Sequence, residues 1–530
     1  MEIPKTKERK TFAVSADRVK LIQDHDFYSV HRNKEGEFKE IVIKKVKFVE
    51  KLKSLGFRRF DLKGVEKKYV RIEKNTIEEV TENFIVDAFF QFVENLQPYE
   101  HSNGETSITI NSEIIKDKLF NALEMYFKPA LFNRMLNDKP IVLKQDNANE
   151  KFFFYQNCWV TVSRFGYEVN DYADLDGYVW KDMILPRTFT APEENNLPCY
   201  FDRFFANITN HDKDRITSLK TILGYNMHSF YKGKLKATIF TDAKISEDGE
   251  PNGRTGKGIL CKAMGNMLNA NMKESTVYVS INGREYDPKN INKHQACNLD
   301  TRLLHIEDIF NNYNIENSFN DITDGLMVRK LFTPAFRIQS KIIFTTNKTI
   351  LIQGESSKDR VIQFELSEHY SSNYDPSMEF KHWFFDDWDI KEFNRFDLFM
   401  FDCCAVYFAT GLKEAEAINL RIKTLQDHTS IEFVRFMDDL LKKRETITYS
   451  LETFGNSQQH EFKIDNEEQI IKTMFFEIFK TLNKDFNNAR FKQNTFTKWV
   501  RMYCRNLSIQ FKEDRTNGKD YFVFWGLVAQ

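Results

Sequence analysis

The sequence predicts an α/β protein. A mostly parallel, helix-covered sheet lies in the middle, an α+β domain comes before it, and a helical region after it ends like a winged helix. Three observations predict this. Short apolar runs alternate with helical spacing in "KATIFTD", "STVYVSI", "RLLHIEDIF", "SKIIFTTN" and "DRVIQFEL", and strands interleaved with helices favour a covered parallel sheet. Gly253, Gly256, Lys257 and Gly258 crowd one short stretch, although the chain has only 20 glycines in 530 residues. The last segment reads helix, helix, strand, Asn517-Gly518, strand, and Asn-Gly between apolar runs is a strong hairpin signal.

A chain of 530 residues is too long for one core and is expected to hold about three domains. Their expected bounds are 1–195, 196–375 and 376–530. The 41% hydrophobic and 29% charged residues are the balance of a water-soluble globular protein. No signal peptide and no membrane-spanning apolar run is evident, so the expectation is a cytoplasmic protein with no membrane partner. The net charge of -1 shows no global attraction to nucleic acid, though a balanced total hides local patches. Seven cysteines occur without a CxxC pair, which speaks against a zinc ribbon. Cys403 and Cys404 are expected in a core.

Up to about Lys74 basic residues outnumber acids, as in "EIVIKKVKFVEKLKSLGFRRFDLKG". This stretch is either a solvated surface or a nucleic-acid patch. "TIEEVTENFIVDAFFQFVENL" has helical spacing, with a cap expected at Asn75 or Thr76. Strand-like "KFFFYQNCWVTVSRFGYEV" follows, and the pattern lapses in "TAPEENNLPCYF", which sets the boundary near 195. "FDRFFANITNHDKDRITSLKTILGYNMHSFY" reads as two helices leading into "KATIFTD".

The glycine-lysine stretch, "PNGRTGKG", sits between that strand and a helix. Backbone N–H groups at a helix start carry the positive end of its dipole, and glycines let the backbone wrap around phosphate oxygens. A lysine in the first turn supplies a point charge for the β/γ-phosphates. Gly256 and Lys257 match GxxxxGK[ST], whereas Pro251 stands at the first glycine position and Gly258 at the hydroxyl position that normally holds Mg²⁺. An ordinary loose loop also accommodates such glycines. In "LLHIEDI" an apolar run ends in Glu307-Asp308, suited either to holding Mg²⁺ and polarising water or to lying solvated on an edge. In "KIIFTTN" a strand ends in Asn347, suited either to contacting a γ-phosphate and its attacking water or to turning the chain.

These three motifs resemble motifs A, B and C of superfamily-3 helicases. The segment "DITDGLMVRKLFTPAFRIQSKIIFTTN" is similar to the stretch between B and C in the phage and plasmid primase-helicase group, with its poxvirus relatives. The resemblance spans roughly residues 200–370 and implies a P-loop, AAA+-like ATPase core. It implies an ATP-dependent replicative DNA helicase or initiator, working as a homo-hexameric ring on single-stranded or forked DNA beside other replication proteins. Its setting would be the bacterial host cytoplasm. By the same resemblance ATP sits on Asn252, Gly253, Arg254, Thr255, Gly256, Lys257 and Gly258. Glu307 and Asp308 share Mg²⁺ and water activation, and Asn347 senses the γ-phosphate. Arg360 reaches a neighbouring subunit's ATP, a task for which a guanidinium's fixed charge is suited; a surface pair with Asp359 or Glu365 is its plainer role. Lys330, with Arg329 and Arg337, falls where the family places a DNA-touching hairpin, although solvated charges fit there too. Two departures stand out: the missing hydroxyl at 258, and the absence of a proline soon after Asn347.

Lys498, Arg501 and Arg505 fall near one helix face by three- and four-residue steps. In a winged helix that face meets DNA phosphates, with Lys519 on the wing; a solvated face is the alternative. Asp171, Asp174 and Asp176 in "DYADLD" form an acidic loop without the rest of a two-metal site, so primer synthesis is not expected. Two further functions remain open: a P-loop NTPase switch that does not unwind DNA, and a DNA-binding protein with a degenerate ATPase.

Overall fold

A computed structural model describes residues 20–527, apart from 22, 61–67, 103, 105, 136–139, 192–197, 232, 234, 245–252, 269–275, 311–312, 332–333, 351, 353–354 and 454–455. By internal contacts the chain forms two compact units. One comprises residues 1–145, 170–184 and 329–337, and the other residues 146–169, 185–328 and 338–530.

The first unit is α+β. A four-stranded sheet contains Phe57–Phe60, Lys68–Glu73, Thr76–Val80 and Val179–Trp180. Its core joins Phe57 and Val80 of this sheet to Phe48, Ile85, Phe89 and Ile115 from helices and to Phe27 from the turn before Tyr28. One expected helix start moves. Thr76–Val80 is a strand paired antiparallel with Lys68–Glu73, with Ile77 and Val80 buried on its two opposite faces. The helix begins at Glu82, and its cap is Thr81, whose hydroxyl accepts the Phe84 N–H at 3.2 Å.

In the second unit the expected alternation becomes one five-stranded sheet. Its strands are β1 (Ala237–Asp242), β2 (Tyr278–Asn282), β3 (Leu303–Glu307), β4 (Lys341–Thr345) and β5 (Val361–Leu366). Their spatial order is β2-β3-β4-β1-β5, and every pairing is parallel. All residues of β1 and β4 are buried, as near-continuous apolar runs require when helices cover both faces. From β1 the chain goes to the far edge and returns strand by strand. The carboxyl ends of β1, β4 and β3 therefore flank one crevice, where open α/β sheets place their ligands.

Helices α1 (Tyr200–Ile208) and α2 (Lys213–Met227) precede β1, and Asp212 caps α2 by accepting the Arg215 N–H at 2.8 Å. Helix α3 (Lys257–Leu268) follows β1, and α4 (Ile390–Thr410) packs on α2. That approach needs Gly224, since a Cβ there would lie 2.5 Å from the Cys403 carbonyl oxygen. Cys403 and Cys404 are fully buried in α4, as expected. The strand-like "KFFFYQNCWVTVSRFGYEV" forms an antiparallel meander of Lys151–Tyr155, Trp159–Ser163 and Gly166–Asn170.

The C-terminal part of this unit has its own core, built on Phe433, Phe475, Phe479, Phe496 and Tyr503. Helices α5 (Leu420–His428), α6 (Ile431–Leu441), α7 (Lys472–Leu482) and α8 (Gln493–Asn506) lead to strands β6 (Gln510–Thr516) and β7 (Lys519–Trp525). The Asn517-Gly518 turn has φ of 51° and 77°, the doubly left-handed turn that Asn-Gly favours. A short strand before α7, Ile470–Ile471, completes a three-stranded sheet on the outer side of β7. Among the described residues no helix is long and apolar enough to cross a membrane.

Candidate active site

The crevice at the carboxyl ends of β1, β3 and β4 is a cavity of about 1080 Å³. Gly253, Arg254, Thr255, Gly256, Lys257, Gly258, Glu307, Asp308 and Asn347 all line it. Residues from three separate motifs therefore share one space. Lys257 Nζ donates to Asn347 Oδ1 at 2.9 Å across 90 residues of sequence. Asn252 lies outside the described residues.

The loop's geometry follows from its glycines. Gly256 has φ of 107°, and a Cβ there would come 2.7 Å from the Phe204 ring of α1, so only glycine fits. A Cβ on Gly258 would meet nothing within 4 Å; the helix start is open on that side. Arg254 is exposed with φ of 68°, whereas Thr255 and Lys257 are buried.

Sequence reasoning missed the residue that organises this loop. Asp242, last in β1, is fully buried, and its Oδ1 accepts both the Thr255 hydroxyl and Lys257 Nζ. Its Oδ2 is buried without a hydrogen-bond partner. The Asp242 carbonyl accepts Lys423 Nζ of α5 at 2.7 Å. The same helix supplies Asp427, which accepts both the N–H (2.6 Å) and the hydroxyl (2.8 Å) of Thr349, just past Asn347. One face of α5 thus fixes the strand ends on both sides of Lys257. The signal available in the sequence was the acid closing "KATIFTD", a run otherwise apolar apart from its first lysine and its threonines.

The acid strand is wired to its neighbours. Ser280 donates to Glu307 Oε1 at 2.6 Å. His305 is buried between Tyr278, whose hydroxyl is 2.7 Å from Nδ1, and Thr345, whose hydroxyl is 3.0 Å from Nε2. Burial pushes the His305 pKa down to about 3, so this ring is a neutral spacer that aligns strands and carries no charge at neutral pH. Glu307 and Asp308 are exposed at the tip. Asp308 takes a left-handed φ of 48°, which Asp tolerates better than bulky residues. Two adjacent carboxylates facing a lysine and an amide suit a divalent cation carried by a polyphosphate.

The remaining predicted residues lie elsewhere. Arg360 directly precedes β5, whose first residue pairs with the start of β1, so it sits at the opposite edge of the sheet. Its Nη1 donates to the Ser356 carbonyl at 2.9 Å, and its guanidinium lies 4.8 Å from the Phe319 ring. Arg329, Lys330 and Arg337 fall in the segment 329–337 that groups with the first unit. Arg329 and Arg337 are exposed there and Lys330 is half-buried. On α8, Lys498 and Arg505 are exposed. Arg501 is instead held bidentately by Glu513 of β6, with Nη2 to Oε2 at 2.8 Å. Lys472 joins the same carboxylate, and Arg501 and Lys472 together bring the Glu513 pKa down to about 2. Among the described residues no group of three or more His, Cys, Asp or Glu side chains could hold a metal by itself, the "DYADLD" acids included.

No protein-family model matches the chain, and no curated protein matches it. Solved structures of the NrS-1 C-terminal region (305-718) in its apo form are similar to it. One covers 91% of this chain and 99% of its own, at 11% identity and a TM-score of 0.38. Its A form covers 91% and 100%, at 10% identity and a TM-score of 0.39. A likeness this distant carries no argument about this chain.

Proposed function

We propose that this chain is an ATP-driven DNA motor of the replication kind, a helicase or initiator working as a hexameric ring on single-stranded or forked DNA. The observation that carries the reading is the meeting of Lys257 and Asn347 at 2.9 Å in a cavity also lined by Glu307 and Asp308. In this reading the loop from Gly253 to Gly258 cradles the triphosphate by its N–H groups, and Lys257 takes the β/γ-oxygens. Glu307 and Asp308 hold Mg²⁺, which neutralises charge developing on the phosphates. Asn347 orients the γ-phosphate and the attacking water. Several features support the P-loop, AAA+-like assignment: the phosphate-loop strand is internal, between the edge strand β5 and the asparagine strand, and the acid strand comes next. The order helix, short strand, two helices and hairpin, with an added antiparallel hairpin (Ile447–Thr453 and Asn456–Phe462) between the first helix and the short strand, supports an elaborated winged helix, with Lys498 and Arg505 offered to phosphates. In this reading Arg360, which lies at the amino-end side of the sheet away from its own crevice, would serve a neighbouring subunit's nucleotide after leaving its contacts with Ser356 and Phe319.

A second reading, a DNA-binding protein with a degenerate ATPase, is favoured by one observation: no hydroxyl stands at 258. Strand displacement on a forked duplex with ATP separates the two. The motor reading expects ATP-dependent unwinding. Hydrolysis without unwinding would mark an NTPase switch, and DNA binding without hydrolysis the degenerate case. Gly258→Ser sharpens this, because the space around a Cβ there is open. In a degenerate ATPase it is expected to raise hydrolysis about tenfold by restoring a Mg²⁺ ligand, roughly the weight of one well-placed hydrogen-bonding group. In a working motor it changes the rate little.

A further inference from the structure

The crevice extends beyond a seat for phosphates, and its far wall is aromatic. Pro186, Arg187, Phe384, Phe385 and Phe393 line the same cavity as the loop. The wall starts at the loop itself. Gly256 abuts the Phe204 ring, Phe204 is 5.6 Å from Phe384, and Phe384 is 6.2 Å from Phe385, centroid to centroid. The stretch after β5 returns to the loop's cavity, where Phe384, Phe385 and Asp386 line it beside Gly253 to Gly258. Ser377's hydroxyl is the main group holding the Asp375 carboxyl below its usual range, and Arg254 of the loop adds to the effect.

Two half-buried rings reach the cavity, and both are held in place. Phe385 has φ of 71°, a conformation a bulky residue adopts only when its surroundings impose it. It packs edge-on against Trp388 at 4.6 Å and Phe396 at 5.5 Å. Phe393 is backed by the Arg187 guanidinium, 4.9 Å from its ring. That guanidinium is fixed in turn by both oxygens of the fully buried Asp397, with Nε to Oδ2 at 3.1 Å. Rings immobilised in this way bind a flat partner without a further ordering cost.

We infer that this aromatic end is a subsite for a purine base, stacked on Phe385 and Phe393, with the Asp386 carboxylate at the rim accepting from an exocyclic amino group. The inference rests on the phosphate-loop reading and adds what that reading leaves open: which part of the cavity recognises the base, and by what means. Stacking reads the size of the π-face more than a hydrogen-bond pattern, so purines are preferred to pyrimidines.

Calorimetric titration of the full chain, in Mg²⁺, with ATPγS, UTP and inorganic tripolyphosphate tests it. The wild type is expected to bind ATPγS about tenfold or more tighter than either of the others. Phe385→Gly tolerates the left-handed backbone and removes the ring. It should weaken ATPγS binding about tenfold and leave tripolyphosphate binding unchanged, while Phe385→Tyr keeps wild-type affinity for both. Equal weakening of both ligands in the glycine variant, or no weakening, overturns the subsite. So does a wild type that binds tripolyphosphate as tightly as ATPγS, which leaves the phosphate-loop reading standing. A wild type that binds none of the three overturns both.

Discussion

The crevice and the C-terminal helix α8 treat charge in opposite ways. In the crevice, Lys257 and Asn347 meet from positions 90 residues apart, and a buried carboxylate stands behind the lysine. On α8, Lys498, Arg501 and Arg505 share one helix, yet Arg501 is bound to Glu513 while the other two stay exposed. The difference lies in what fixes each residue. In a parallel sheet all carboxyl ends leave one edge, so polar residues at strand tips converge whatever their separation in sequence. On a helix, spacing fixes the face but not what a neighbouring strand puts opposite it.

That contrast can be broken or sharpened by substitution. The largest effect is expected at Asp242. Replacing it with alanine strands the Lys257 ammonium in a buried setting and should lower stability by about 3 kcal/mol, read as a fall in the urea midpoint at unchanged m-value. Unaltered stability would mean that Asp242 does not anchor the loop. Lys257→Ala comes next, with hydrolysis expected to fall at least about a hundredfold in kcat, as for loss of one preorganised donor to developing charge; phosphate release reads it. Third is a dependence on pH. His305 is held neutral by burial, with its pKa lowered to about 3, whereas in the unfolded chain it titrates at about 6.5. Its folded pKa is depressed, so its contribution is present above that unfolded value and is lost as pH falls toward the folded one. Stability should drop by about 2 kcal/mol between pH 7 and 5 through this residue, and His305→Asn should flatten the slope.

The smallest effects belong to α8. Lys498→Ala and Arg505→Ala should each reduce the salt slope of DNA binding by about 1. Arg501→Ala should leave that slope nearly unchanged and cost about 1 kcal/mol or less of stability, as for a partly exposed pair. A slope change at 501 equal to the others would show that DNA displaces Glu513.

The parallel sheet and the cleft were readable because their signals are local and repeat: an apolar run, then a polar tip, on successive strands. The five strands, the two helices before β1 and the terminal Asn517-Gly518 hairpin all occur where the pattern places them. What escaped depends on partners distant in sequence. Asp242 looked like the polar end of a strand, and its role comes from Thr255 and Lys257 folding back onto it. Lys423 and Asp427, four apart on α5, reach the last residue of β1 and the loop after β4. The helix expected from Asn75 or Thr76 starts at Glu82 because the preceding residues pair as a strand. Pairing outranks local spacing when the two compete.

The most direct measurement is a structure of the full chain with Mg²⁺ and ATPγS. The account predicts the triphosphate on the loop from Gly253 to Gly258, its terminal phosphate within hydrogen-bond reach of Lys257 Nζ and Asn347, and the metal beside Glu307 and Asp308. A nucleotide bound away from this loop, or one that leaves Lys257 and Asn347 untouched, would contradict it.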